Sequence, residues 1–273
     1  MSNTDTPGLD AEVLLRHTVG LDRVALFAHF TDPIIAEHLE TYRALLRERS
    51  RGTPVAYLTG EREFMGHSFA VGPGVLVPRP ETEILVEWAI AWLQHHEAST
   101  VIDVGTGSGA IALSIASAMG NNWPGQVIAV DVSPDAIAMV GRNRERLGLQ
   151  DRVQVQLGSL LSWLDEPVDL VLANLPYLRP DQIAENPDLR AEPLLALDGG
   201  PDGLDLIRQL LSDAPPVMQP GGALGLEIDP AQRDAVTELA HKLFPGSVVH
   251  VLQDLAVFDR HVVIQTVGPG YPP

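Results

Sequence analysis

From Thr100 onward, short apolar runs alternate with helical segments, and three of the runs end in a glycine, an acid or an amide. Val101-Ile102-Asp103-Val104 reads as a strand, followed by the turn Gly105-Thr106-Gly107-Ser108-Gly109 and a helix over 110–119. Val127 to Val130 reads as the next strand and ends in Asp131, with a helix over 134–147 and a strand over 153–156 behind it. The run 168–173 carries Asn174 at its end. A helix over 204–217, a strand over 223–228, a helix over 231–243 and strands over 248–251 and 261–264 complete the pattern. Such alternation predicts an α/β, Rossmann-like doubly wound parallel sheet with helices on both faces. Ligands in such sheets sit outside the carboxyl ends of the strands, where Gly105, Asp131 and Asn174 all fall.

The segment before this sheet has a different texture. Helical spacing of Val13, Leu14, Leu21, Leu39, Tyr42, Leu45 and Leu46 predicts a small helical unit over residues 1–52. Residues 53–80 read as a connector. There, extended pieces at Phe69–Val71 and Val75–Val77 flank Gly72-Pro73-Gly74 and suggest a hairpin. Pro78-Arg79-Pro80 then breaks the chain before a helix over 81–95, which opens the main unit at 81–267. The Gly/Pro-rich end, 268–273, reads as a disordered tail.

Composition narrows the functional classes. The 273 residues carry a formal net charge of −18, which repels a phosphate backbone and argues against direct nucleic-acid binding. Two arginine clusters, Arg43/Arg47/Arg49/Arg51 and Arg142/Arg144/Arg146, read as solvated helix faces, the first being placed to face a partner. Cysteine is absent, so disulfides, thiolate metal sites and cysteine nucleophiles are excluded. The nine histidines show no metal-ligand spacing, and His95-His96 reads as a polar helix end. Trp88 and Trp92 read as packing. No run approaches a membrane span, and the first residues do not read as a signal peptide, so a cytoplasmic protein is expected.

Chemistry concentrates at the three strand ends. Glycines 105, 107 and 109 permit a tight turn and close approach of a ligand. Asp103 before them can take a cationic amino group. Asp131, about 20 residues past the turn, suits ribose hydroxyls. Ser133 caps the following helix and leaves Asp131 free. Asn174 offers an acceptor and a donor on one planar group, and the Leu175 carbonyl is a second acceptor. Two acceptors can receive both hydrogens of an –NH2 group and turn its lone pair toward a methyl donor. Pro176 stiffens the turn, and Tyr177 can stack on a flat amide or base. The chemistry then needs positioning and directed hydrogen bonds rather than a strong base.

Thr53 to Gly60, Val77-Pro78-Arg79-Pro80-Glu81-Thr82-Glu83, Asp103 to Gly109, Asn174-Leu175-Pro176-Tyr177 and Arg190 to Leu197 occur in one order. This resembles the HemK/PrmC family of peptide chain release factor glutamine methyltransferases. The resemblance implies a class I fold dependent on S-adenosylmethionine and methyl transfer to the glutamine of the Gly-Gly-Gln loop in class 1 release factors. It implies that Asp103, Gly105, Thr106, Gly107, Ser108 and Gly109 hold the methionine part of the cofactor and Asp131 its ribose, with Ser159, Leu160 and Asn174 also at the cofactor. It places Asn174, Leu175, Pro176 and Tyr177 on the target amide, Pro78 and Arg79 at the entrance, and the N-terminal helices on the release factor. Two positions depart from the family pattern. Leu175 stands where proline is usual, and only its carbonyl is needed. Ser159 stands where an acid near the adenine is usual, which shifts adenine recognition toward backbone groups and Leu160. Asn-x-Pro-Tyr is shared with nucleic-acid amino-methyltransferases, and a ribosomal-protein glutamine methyltransferase shares much of the pattern. These remain the alternatives, beside a cofactor-binding scaffold without catalysis.

Overall fold

The computed structural model describes residues 6–96 and 99–268. Helices α1 (Pro7–Val19), α2 (Arg23–Ala28), α3 (Ala36–Ser50) and α4 (Val55–Thr59) come first, followed by the hairpin β1 (Glu61–Phe64) and β2 (His67–Ala70). Helix α5 (Thr82–Leu93) leads into β3 (Thr100–Val104), α6 (Ala110–Met119), β4 (Gln126–Asp131), α7 (Pro134–Arg146), β5 (Val153–Leu157) and β6 (Val168–Ala173). The short α8 (Pro180–Glu185), α9 (Asp205–Asp213), β7 (Met218–Glu227), α10 (Arg233–Leu243), β8 (Val248–Gln253) and β9 (Asp259–Gln265) follow.

Strands β3 to β9 form a seven-stranded sheet in the order β5-β4-β3-β6-β7-β9-β8. The pairs from β5 through β7 are parallel, and β9 runs antiparallel to both β7 and β8. Strand β4 lies on one side of β3 and β6 on the other, so the winding reverses at β3. Loops leaving β3 and β6 part there and open a crevice. Side chains alternate across the sheet. Val101, Val127, Ala129, Leu170 and Leu172 pack with Leu85 and Leu113 of α5 and α6. Ile102, Val104, Val130, Val171 and Leu224 pack with Ile207, Leu210 and Val236 of α9 and α10. Asp103 falls on the first face, beneath α6.

The hairpin lies earlier than its expected place at Phe69–Val77. It pairs Glu61 to Phe64 with His67 to Ala70 around Met65-Gly66. Both turn residues have positive φ, 49° and 73°, the backbone of the two-residue turn whose twist matches paired strands. Phe64 and Phe69 meet edge to face with centroids 6.1 Å apart, worth about 1 kcal/mol beyond burial. The Val75–Val77 stretch is held by side chains instead of a strand. The Tyr57 hydroxyl donates to the Val75 carbonyl, and the Val77 N–H donates to Glu192. Helix α9 stops short of the expected end because Pro215-Pro216 cannot continue it. The expected tail at 268–273 lies, past Gly268, outside the described residues.

The arginine clusters are not simply solvated. Arg49, its side chain 12% exposed, pairs with Asp10 at 2.7 Å and ties α3 to α1. Arg144 donates to the Val153 carbonyl, and Arg146 pairs with Glu61 of the hairpin. Trp92 is buried and stacks on His96, with the rings 3.6 Å apart.

Asn143 of α7 joins the hairpin to the glycine loop. It is fully buried, accepts from the Ala70 N–H at 2.7 Å and donates to the carbonyls of Ala70 and Ser108 at 2.9 and 2.8 Å. Asn143→Ala leaves three buried backbone groups without partners. We expect it to lower unfolding free energy by about 3 kcal/mol, read from urea denaturation.

Candidate active site

The turn after β3 is shaped from beneath by two carboxylates. Asp103 is fully buried. Its Oδ2 accepts from the Thr106 hydroxyl at 2.6 Å and from the Ala112 N–H at 3.1 Å. The helix cap of α6 is Gly109, which has no side-chain acceptor. Asp103 therefore serves one of the unpaired N–H groups that begin every helix. Its Oδ1 has no hydrogen-bond partner among the described residues. Burial first, and then the nearby charge of Asp131, push its carboxyl up from 3.8 to about 7, against the lowering effect of the two hydrogen bonds.

Asp131 is not free, as capping by Ser133 alone suggested. Ser133 does cap α7 by accepting from Ala136. Yet Asp131 Oδ2 accepts from the Gly107 N–H and Oδ1 from the Ser133 N–H, each at 2.9 Å. A carboxylate has about four acceptor positions, so each oxygen keeps one for a ligand.

Two cavities meet above these strand ends. The larger, about 430 Å³, is bounded by Gly105, Thr106, Gly107 and Ser108, by Asp131, and by Gly158, Ser159 and Leu160. Its volume lies in the range of small-molecule sites, roughly 300–1,000 Å³. The smaller, about 300 Å³, is bounded by Arg79, Tyr177, Leu178 and Gln182. Asn174 and Leu175 border both cavities, while Pro78 and Pro176 face the larger. Asp103 and Gly109 are not in the wall. Asp103 points from β3 to the α6 side of the sheet. Gly109, at φ 84°, lets α6 pass α7, since a Cβ there would lie 2.6 Å from Val140. Leu175 is buried, and a Cβ on Gly105 would come 3.1 Å from its Cδ2. The residue that departs from the family proline thus packs under the glycine turn.

The Asn174 carboxamide is held from behind. Its Nδ2 donates to the Thr82 hydroxyl at 3.0 Å. That hydroxyl donates to Glu227 Oε2 at 2.6 Å, and the Tyr177 hydroxyl donates to Glu227 Oε1 at 3.0 Å. Burial, reinforced by the charge of Glu227, pushes the Tyr177 phenol well above its ordinary range, so it stays protonated. A second carboxylate, Glu192, accepts from the Val77 N–H and pairs with Arg79, fastening the 77–80 segment to the loop ahead of α9. Sequence reading assigned no role to Thr82, Glu192 or Glu227. Thr82 stands in the Pro-Arg-Pro-Glu-Thr-Glu run and Glu192 in the Glu-Pro pair. Glu227 is an acid closing an apolar strand, the same signal that marked Asp131.

A parallel sheet reversing at its first central strand, a glycine turn there and an acid on the neighbouring strand end together define a class I S-adenosylmethionine-dependent methyltransferase. The chain matches the family models described as methyltransferase domain, over residues 95–224, and PrmC N-terminal domain, over residues 1–60. It shares the fold of the ribosomal protein L11 methylase from Lactobacillus delbrueckii subsp. bulgaricus (TM-score 0.52, 20% identity, 72% of this chain and 84% of that one). It is 40% identical over 263 residues to the release factor glutamine methyltransferase of Bordetella pertussis, covering 95% of each chain. To that of Xylella fastidiosa strain Temecula1 it is 42% identical over 267 residues, covering 96% of this chain and 94% of the relative. The chain belongs to the release factor glutamine methyltransferase family.

The Asp103 carboxyl has a consequence for stability. Between about pH 4 and 7 the folded protein keeps a proton there that the unfolded chain releases, so this contribution to stability falls as pH rises and levels off above 7. Asp103→Asn removes the titration. The expected outcome is a shallower loss of stability from pH 4 to 7 in the variant than in the wild type, read from urea midpoints across that range.

Proposed function

We infer that the enzyme transfers the methyl group of S-adenosylmethionine to the side-chain amide nitrogen of the glutamine in the Gly-Gly-Gln loop of class 1 peptide chain release factors. The observation that carries this reading is the place of Asn174, on the boundary between the two cavities. The residues of the larger cavity fit the cofactor. A glycine turn tolerates close approach, Asp131 retains acceptor positions for ribose, and Ser159 and Leu160 border the space left for a base. When bound, the cofactor supplies a methyl group made electrophilic by its sulfonium.

The protein's own residues do the rest by positioning. Asn174 Oδ1 and the Leu175 carbonyl accept the two N–H bonds of the glutamine amide. This raises electron density on the nitrogen and fixes the amide plane, so that the lone pair perpendicular to it faces the larger cavity. Pro176 limits the turn between the two acceptors, and Tyr177 lies beside the flat amide. Pro78 and Arg79, the latter held by Glu192, border the approach. The amide proton leaves to water once the new bond forms, so no strong base is required.

The relatives' names support the release factor as substrate and partner. The N-terminal helices, residues 1–52, grip it away from the chemistry, the 53–80 segment connects, and residues 81–267 carry the reaction. No helix among the described residues is long and apolar enough to cross a membrane, and a translation-factor substrate places the enzyme in the cytoplasm. The net charge of −18 disfavours direct contact with nucleic acid.

Mass spectrometry of a release factor incubated with enzyme and cofactor, beside ribosomal RNA and ribosomal protein, is expected to locate the added methyl on the glutamine. Asn174→Ala is expected to slow transfer by about 100- to 1,000-fold with the melting temperature retained. Wild-type turnover by that variant rejects the site assignment, and methyl on RNA or ribosomal protein alone rejects the substrate.

A further inference from the structure

The hydrogen bonds behind Asn174 have a direction, and one carboxylate sets it. Thr82 opens α5, Glu227 closes β7 and Tyr177 follows β6. Thr82 and Glu227 are buried. A threonine hydroxyl has one hydrogen and two acceptor positions. That hydrogen lies on Glu227 Oε2, 2.6 Å away. Toward Asn174 the Thr82 oxygen can then only accept, so only the –NH2 half of the carboxamide can face it, as it does at 3.0 Å. The other half, Oδ1, receives no hydrogen bond from the described residues and remains for a ligand.

The opposite polarity would disable the site. If the Thr82 hydroxyl donated to Asn174, the carboxamide would flip and present N–H bonds to a substrate amide that also presents N–H bonds. Glu227 prevents this because a carboxylate accepts and never donates. Tyr177 is polarised by the same group through its bond to Oε1. His261 of β9, fully buried and paired in register with Glu227, brings Nε2 to 3.6 Å from Oε2, outside hydrogen-bond reach. It leaves both carboxylate oxygens to the two hydroxyls.

We propose that Thr82 and Glu227 are positioning residues that fix the polarity of the Asn174 carboxamide, holding Oδ1 toward the substrate amide. The proposal rests on the methyl-transfer reading above. It adds that the asparagine acts in one of its two flipped states and that a buried acid two bonds away selects the state.

The test compares Thr82→Val, Thr82→Ser and Glu227→Gln with the wild type. Thr82→Val keeps shape and removes the hydroxyl. Thr82→Ser keeps the hydroxyl. Glu227→Gln places an N–H against one of the two hydroxyls. Four quantities are measured: kcat and KM with a release factor, S-adenosylhomocysteine affinity by calorimetry, melting temperature, and hydrogen exchange of the Asn174 side-chain amide by nitrogen-15 NMR. Thr82→Val and Glu227→Gln are expected to lower kcat by about 10- to 100-fold. KM and S-adenosylhomocysteine affinity are expected to stay within about twofold, a split that follows when only transition-state positioning is lost. Thr82→Ser is expected to recover most of the rate. Asn174 amide exchange is expected to accelerate in Thr82→Val and not in Thr82→Ser.

Wild-type kcat and amide exchange in Thr82→Val, with Asn174→Ala inactive, overturn the positioning role while the methyl-transfer reading stands. Equal losses in Thr82→Val and Thr82→Ser, or a fall in kcat matched by falls in melting temperature and S-adenosylhomocysteine affinity, also overturn it. If the release factor proves not to be the substrate, the exchange measurement still decides the proposal, because it needs no substrate.

Discussion

A parallel sheet sends the carboxyl end of every strand to one edge, and at β3 the winding direction reverses. The loops leaving β3 and β6 must therefore diverge, and the crevice between them cannot be filled by either. The candidate site is arranged around that gap. The glycine turn leaves β3, Asp131 ends β4, and Asn174 follows β6. The partition between the two cavities is the continuation of the central strands, so it inherits their rigidity. A site built this way keeps acceptor groups in place without support from a mobile loop.

Four acids, all but Asp131 buried, hold that edge together. Asp103 caps α6 in place of a glycine, Asp131 joins Gly107 to Ser133, Glu192 holds the 77–80 segment, and Glu227 receives Thr82 and Tyr177. Asp131, Glu192 and Glu227 reach donors far from themselves in sequence, while Asp103 holds the turn and helix that follow it. A carboxylate is suited to this because it accepts several hydrogen bonds at once and donates none. The acidity of the chain thus has an interior role besides its surface one.

The features readable beforehand were those whose meaning is local. A glycine turn after an apolar run, an acid at the next strand end and an asparagine with a following proline each announce themselves within a few residues. The helix cap at Ser133 belongs to the same kind. The hairpin was misplaced because Gly72-Pro73-Gly74 looks like a turn as much as Met65-Gly66 does. The choice fell to the pairing of Phe64 with Phe69 and to Glu192, which arrives from far along the chain. Asp103 suits a ligand as well as the core on sequence alone, because strand position reveals which face a side chain takes only once the sheet's two coverings are known. Arg49 looked like a surface charge until Asp10 of another helix came beside it.

Sequence alone determined the α/β alternation, the strand ends that border the cavities and the family to which those motifs point, because all of these are short-range patterns of periodicity and residue type. Tertiary structure decided which way each side chain faces: Asp103 under the helix, Leu175 beneath the glycine turn, and Asn174 with its amide toward Thr82. The physical reason is that a hydrogen bond's direction depends on the partner's single proton, and the partner, Glu227 behind Thr82, is brought there only when β6, β7 and α5 meet.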